Sequence, residues 1–235
     1  MNDYIKDNLA EVRSAIDSTL NKANISKDQV TLIAVSKTKP VEDLMVAYNE
    51  GVRDFGENKV QELTMKYEEC PKDIRFHMIG HLQKNKVKYL INKAYIIHGV
   101  DSLELAKVID KESLKQNTVT NILIEVNMAK EESKFGVYEE DVIDLVKNIS
   151  ELKNVKIKGL MTIAPYVENA EYNRVYFKGL KKLSIDINNQ NIDNVDMEIL
   201  SMGMSGDYQV AIEEGATYVR VGTSIFGARN YNVGE

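Results

Sequence analysis

The chain has 235 residues, of which 43% are hydrophobic and 28% charged. These are the proportions of a globular protein with a full-sized core, and they exclude a disordered chain. Its net charge of −6, without a long run of Lys or Arg, lacks the basic surface that a nucleic-acid backbone requires. The sequence has a single cysteine, Cys70, and no signal-peptide pattern. Every apolar run is much shorter than the roughly 20 residues that a membrane helix needs. These features predict a cytoplasmic protein that does not bind membranes.

The predicted elements alternate between helices and short strands. At the N-terminus, apolar residues at spacings of three and four predict an amphipathic helix capped by Asn2 or Asp3. The run 31–35 is almost wholly apolar, which is typical of a strand covered on both faces. Similar runs follow at 53–55, 75–79, 95–100, 121–126, 156–161, 197–201 and 218–221, and each precedes a segment with helical spacing.

Eight strand–helix units in about 200 residues match the smallest (β/α)₈ barrels, or TIM barrels. A doubly wound open sheet is the alternative that the pattern leaves open. No linker or low-complexity tract divides the sequence, so residues 1–235 are interpreted as one domain with an extra N-terminal helix.

Chemistry in such a fold collects where strands end. The first strand is followed by Lys37, and a buried lysine with a lowered pKa forms an imine with a carbonyl compound. A lysine whose charged end simply extends into water is the alternative.

The last two strands run into turns rich in small residues. Ser201, Gly203, Ser205 and Gly206 follow the seventh strand, and Gly222, Thr223 and Ser224 follow the eighth. Small residues let backbone N–H groups approach an anion, and barrels commonly bind phosphate at this place, although loop structure and helix capping would use the same residues. Together with Lys37, these turns predict a small phosphorylated carbonyl compound, such as pyridoxal 5′-phosphate or a sugar phosphate.

Other strand ends carry polar side chains whose roles the sequence leaves open. They are Asn58 and Gln61; His81, Gln83, Asn85 and Lys86; the loop with Ser133, Lys134 and Gly136; and Met161, which either packs on a flat ring or belongs to the core. His77 and His81 stand four residues apart, but Gly80 and the strand-like pattern between them argue against a metal pair.

Six collinear motifs resemble the YggS/PROSC-type pyridoxal phosphate homeostasis proteins, whose barrel is similar to the N-terminal domain of alanine racemases. They are AVSKTKP, FGENKVQE, FHMIGHLQKNK, KGLMTIAP, LSMGMSGDY and VRVGTSIFGARN. The resemblance implies that Lys37 holds pyridoxal 5′-phosphate as a Schiff base, that Arg220 faces the pyridine nitrogen, and that Asn58 and Met161 border the ring. It also implies phosphate contacts from Ser201, Gly203, Gly222 and Thr223, and a signature role for His81 and Gln83.

Two functions remain open at this point. One is a carrier in vitamin B6 homeostasis, which binds the cofactor without established turnover and delivers it, through transient contacts, to apo-enzymes that depend on it. The other is an amino-acid racemase of low activity, with His81 or Tyr166 as proton carrier. Because the chain has no room for the second domain of a racemase, we favour the carrier and expect a monomer.

Overall fold

The computed structural model describes residues 3–228. Eight parallel strands form one closed barrel in which every strand pairs with its neighbours in sequence, and the last strand pairs with the first. The strands are β1 (Thr31–Val35), β2 (Asp54–Glu57), β3 (Arg75–Met78), β4 (Ala94–Val100), β5 (Thr120–Glu125), β6 (Val155–Met161), β7 (Val195–Ser201) and β8 (Tyr218–Val221). This arrangement confirms the (β/α)₈ prediction over the open sheet.

Helices form the outer layer. They are α1 (Asp3–Ala23), α2 (Val41–Asn49), α3 (Val60–Glu69), α4 (Leu103–Lys115), α5 (Val142–Ser150), α6 (Arg174–Asn188), α7 (Tyr208–Glu213) and α8 (Thr223–Phe226). The larger hydrophobic cluster lies between strands and helices, and a smaller one contains Ile96, Leu123, Met161 and Ile199. Because successive side chains of a strand point to opposite faces, the smaller cluster is the apolar filling of the barrel interior.

Two helical predictions need correction. The segment after β3 forms a 3₁₀ helix, Lys84–Tyr89, because Val87 is its only buried residue and no apolar stripe exists to hold an α-helix. The helix after β8 is a single turn. Six of the eight predicted strands differ from the observed ones by one or two residues at one or both ends, as at β2, which the sequence predicts to end at residue 55 and which ends at Glu57.

The predicted N-terminal helix is present as α1, while Asn2, one of its two proposed caps, lies outside the described residues. Its apolar stripe is buried, and the helix packs against α2, α7 and the short α8. The Asn8 side chain donates a hydrogen bond to the Ile225 carbonyl, 3.0 Å away. The helix α1 thus completes the outer layer where α8 is too short to do so.

We expect Leu9→Ala to lower the free energy of unfolding by about 3 kcal/mol, because Leu9 is 1% exposed and its removal leaves a cavity under α1. Urea titration measures this loss. Glu11→Ala, on the exposed side of the same helix, is the control and should stay close to wild type. Equal stability of both variants would show that α1 is dispensable.

Candidate functional site

A cavity of about 460 Å³ opens at the carboxyl ends of the strands. Five of the residues predicted to bind the cofactor line it: Lys37, Asn58, Arg220, Gly222 and Thr223. Ser205 and Gly206 from the turn after β7 line it as well. Closure of the barrel therefore brings the strand-end lysine and the two small-residue turns into one space.

Side chains between the barrel and helix α3 hold the backbone just before Lys37 in place. The buried Lys66 of α3 donates a hydrogen bond of 2.7 Å to the carbonyl of Ser36 and one of 2.8 Å to the carboxylate of Glu57. The Ser36 hydroxyl donates to the same carboxylate at 2.6 Å. This buried ionic cluster holds the end of β1, from which the partly buried Lys37 enters the cavity.

Backbone N–H groups converge at the turns after β7 and β8. The Ser205 hydroxyl oxygen accepts hydrogen bonds from the backbone N–H of Gly222 at 3.2 Å and of Ser224 at 3.4 Å. A side chain at Gly222 would bring a Cβ within 3.3 Å of the Val35 carbonyl oxygen. The two N–H groups therefore converge on one oxygen atom in a space kept open by glycine, and donors that converge in this way are able to bind a phosphate oxygen in place of the serine hydroxyl.

Arg220 of β8 is buried in the barrel with its guanidinium held at two points. One terminal nitrogen donates to the Ser201 hydroxyl at 2.6 Å, and the other donates to the Thr162 carbonyl at 2.8 Å. Burial lowers the pKa of Arg220 to about 10, against the opposing effect of Glu125 and Asp207, so the side chain stays cationic at neutral pH. Its remaining N–H groups are free of these two contacts and are able to bind an acceptor in the cavity.

Three predicted residues lie outside the cavity lining. Met161 is fully buried in the inner apolar cluster, and Ser201 is buried against Arg220. Gly203 has a φ of +87°, and a Cβ there would lie 2.6 Å from the Cβ of Ala211. Ser201 thus acts through Arg220 and Gly203 shapes the turn, while direct contact of these three residues with a cofactor stays a prediction.

The rim of the cavity carries exposed side chains. His81 stacks on Phe135 with ring centroids 3.7 Å apart and does not line the cavity, whereas Lys134 and Tyr166 do. The Tyr166 side chain is 98% exposed. Gln83 is exposed at the start of the 3₁₀ helix. A proton carrier has to lie within reach of the reacting atom, and of the two candidates His81 lies outside the cavity lining while Tyr166, which lines it, is almost fully exposed.

The barrel interior below the cavity contains polar side chains to which the sequence assigned no role. Asp54, His98 and Glu125 are buried there, together with His77, which contacts Asp54 and His98 and not His81. The signal in the sequence was a polar residue on the inward side of an otherwise apolar strand. Among residues 3–228, no three His, Cys, Asp or Glu side chains are grouped as metal ligands.

Comparison with known proteins identifies the family. A family model described as the alanine racemase N-terminal domain matches residues 5–230. A pyridoxal phosphate homeostasis protein of Aquifex aeolicus is 46% identical over 224 residues, which cover 95% of this chain and 97% of that protein. The chain belongs to the family of pyridoxal phosphate homeostasis proteins. The resemblance recognised in the motifs is thereby confirmed.

Solved structures of relatives share the barrel. PipY of Synechococcus elongatus, solved with PLP bound, has a TM-score of 0.82 and 34% identity, with 95% of this chain and all of that chain covered. An alanine racemase of Clostridium difficile has a TM-score of 0.75 at 14% identity, and 98% of this chain covers 61% of it. The second likeness concerns the fold alone. In the part of this chain that the structure describes, none of the helices combines the length and the apolar character needed to cross a membrane.

Glu125 gives this site a pH dependence. Burial raises its pKa to about 7 from an ordinary 4.5, with Asp101 adding to the rise and Arg220 opposing it. Between these two values the folded protein keeps a proton that the unfolded chain has lost, so stability decreases as the pH rises.

We therefore expect Glu125→Gln to gain stability over wild type progressively between about pH 5 and about pH 8, by at most about 3 kcal/mol. Urea titrations at several pH values measure the difference, with the exposed Glu132→Gln as control. A difference that does not change with pH would contradict the account.

Proposed function

We propose that this chain binds pyridoxal 5′-phosphate at the barrel mouth and serves in the homeostasis of that cofactor. The observation that carries the proposal is the meeting of a lysine amine, a cationic arginine and two converging N–H groups in one cavity. Relatives named as pyridoxal phosphate homeostasis proteins, and PipY solved with PLP bound, support it.

Each part of the cavity matches one part of this ligand. Lys37 would hold the cofactor, because a lysine amine is able to condense with an aldehyde to a Schiff base, with release of water. The turns after β7 and β8 would supply N–H donors for the phosphate, and Arg220 would donate to the pyridine nitrogen. Asn58, which follows β2 and lines the cavity, would border the ring. The bound cofactor supplies an electron sink, which is weaker where an arginine leaves the ring nitrogen unprotonated.

Delivery to apo-enzymes that depend on the cofactor is the second part of the proposal. The cavity is reached from the strand ends, and its lining includes the exposed Tyr166 and Lys134, so a recipient has direct access to the bound molecule. A monomer with one open mouth is suited to transient contacts of this kind. Storage of the aldehyde on Lys37 would also protect amines elsewhere from it.

Lys37→Ala should abolish the near-visible absorption band of the protein mixed with pyridoxal 5′-phosphate, because the amine that bonds the aldehyde is gone. The fold should survive, since Lys37 is not part of the hydrophobic core. Lys39→Ala is a matched control from the same cavity, because the Lys39 amine already donates a hydrogen bond of 2.6 Å to the Phe226 carbonyl. Loss of the band in the Lys39 variant and its retention in the Lys37 variant would reverse the assignment.

Pyridoxal, which lacks the phosphate, should bind at least about tenfold more weakly than pyridoxal 5′-phosphate, because one charge-assisted hydrogen bond contributes about 1.5–3 kcal/mol. Titration followed by absorbance gives both affinities. A bulky side chain in place of Gly222 should remove most of the difference, since it fills the space between Val35 and the turn. Equal affinities for both compounds in wild type would argue against the phosphate position.

A further inference from the structure

A continuous chain of hydrogen bonds crosses the barrel interior below the cavity. It starts at Arg220, which donates to the Ser201 hydroxyl at 2.6 Å. The Ser201 oxygen lies 3.0 Å from Nδ1 of His98, and Nε2 of His98 lies 3.0 Å from Nδ1 of His77. Nε2 of His77 lies 3.0 Å from a carboxylate oxygen of Asp54. Five strands, β2, β3, β4, β7 and β8, contribute one member each.

Water does not reach this hydrogen-bond chain. His77, His98 and Ser201 are 0% exposed. The His77 ring packs nearly perpendicular to the rings of Tyr95 and Tyr218, at centroid distances of 5.5 and 5.7 Å. The members of the chain therefore have to satisfy one another, and each proton has a defined place.

The two ends of the chain decide the direction of every bond. Arg220 is only a donor, so the Ser201 oxygen accepts from it, which leaves the Ser201 proton available for Nδ1 of His98. At the other end, Asp54 is only an acceptor when ionised. His77 therefore carries its proton on Nε2, which leaves its Nδ1 to accept from Nε2–H of His98. Both histidines are thus neutral Nε2–H tautomers.

The electrostatics of the groups agree with this direction. Although burial raises it, hydrogen bonds from Arg75 and His77 hold the pKa of Asp54 below its usual range, and Arg75 binds the carboxylate at both oxygens. Burial holds the pKa of His98 well below its usual range, with His77 and Arg220 adding to the effect. An anion at the base of the barrel and a cation at the cavity are therefore joined by neutral groups.

We propose that His98 and His77 are positioning residues for Arg220: anchored by Asp54, they keep the Ser201 hydroxyl turned as an acceptor for the guanidinium. Arg220 then faces the pyridine nitrogen of the cofactor as a fixed cation. This inference rests on the proposed function for the identity of the ligand. The histidine tautomers, in contrast, are a property of the protein without any ligand.

Replacement of His98 by leucine removes the acceptor for the Ser201 proton. The serine hydroxyl is then free to turn away, and Arg220 loses one of its two fixed contacts. Replacement by asparagine keeps an acceptor oxygen near the position of Nδ1. The leucine variant should therefore disturb a ligand bound at Arg220, and the asparagine variant should largely restore it.

The first experiment uses the full chain without cofactor, labelled with ¹⁵N at its three histidines. Long-range ¹H–¹⁵N spectra at neutral pH should show Nε2–H tautomers for His77 and His98, while exposed His81 is identified by its loss in His81→Ala. A proton on Nδ1 of either buried histidine would overturn the proposal.

The second experiment measures absorption spectra and affinities for pyridoxal 5′-phosphate. We expect His98→Leu to shift the band and weaken binding about tenfold, and His98→Asn to stay near wild type. Ile96→Ala is the control, because Ile96 lies two residues earlier on the same inward side of β4 and its removal opens a cavity without cutting the chain. It should lose stability and keep the spectrum.

The outcomes separate the two proposals. Unchanged spectrum and affinity in His98→Leu, or an equal shift in Ile96→Ala, would overturn the positioning role while the cofactor assignment stands. Failure of wild type to bind pyridoxal 5′-phosphate would overturn the proposed function, and the tautomers would still decide whether the hydrogen-bond chain exists. If His98→Leu does not fold, a spectrum of His98→Asn unlike wild type, or a wild-type Nδ1 proton, still contradicts the proposal.

Discussion

The pairing of the first strand with the last is the constraint on which the site depends. Ile33 of β1 lies opposite Arg220 of β8, and Ala34 lies opposite Val221. Lys37 and Gly222, which are 185 positions apart in the sequence, consequently leave neighbouring strands at the same edge. The helix α1 secures this closure from outside, because it packs across α2, α7 and α8. An amine and a phosphate position thus share one cavity because the sheet is closed.

The second feature of the molecule is the polar content of its interior. A buried polar group without a partner costs about 1–3 kcal/mol, so an interior of apolar residues alone would be the simpler choice for stability. Here the polar groups are connected, from Asp54 through two histidines and Ser201 to Arg220. Such a network rigidifies the arginine in a way that Leu or Ile at the same positions would not. The stability of the barrel and the geometry of its mouth are therefore coupled.

The sequence predicted the parts of the fold that depend on local pattern. The first and last strands, Thr31–Val35 and Tyr218–Val221, agree with the apolar runs, because strands buried on both faces stand out from their surroundings. The 3₁₀ helix after β3 was less predictable, since a short segment with one buried residue carries little periodicity. The lysine at a strand end and the two turns were recognised because their residue types are unusual there.

Contacts across the barrel could not be predicted from the sequence. His98 and Ser201 are 103 positions apart, and their contact follows from strand register and closure, which no local pattern contains. Ser201 and Ser205 show the same limit: the sequence shows that both are small polar residues after the seventh strand, but not that Ser205 lines the cavity while Ser201 does not.

The central claim is a covalent bond between one lysine and an aldehyde, and it is tested most directly by borohydride reduction of the protein loaded with pyridoxal 5′-phosphate, followed by peptide mapping in a mass spectrometer. The account predicts the mass of one phosphopyridoxyl group on the peptide that contains Lys37. An unmodified Lys37 peptide, with the added mass absent or carried by a different lysine, would contradict it.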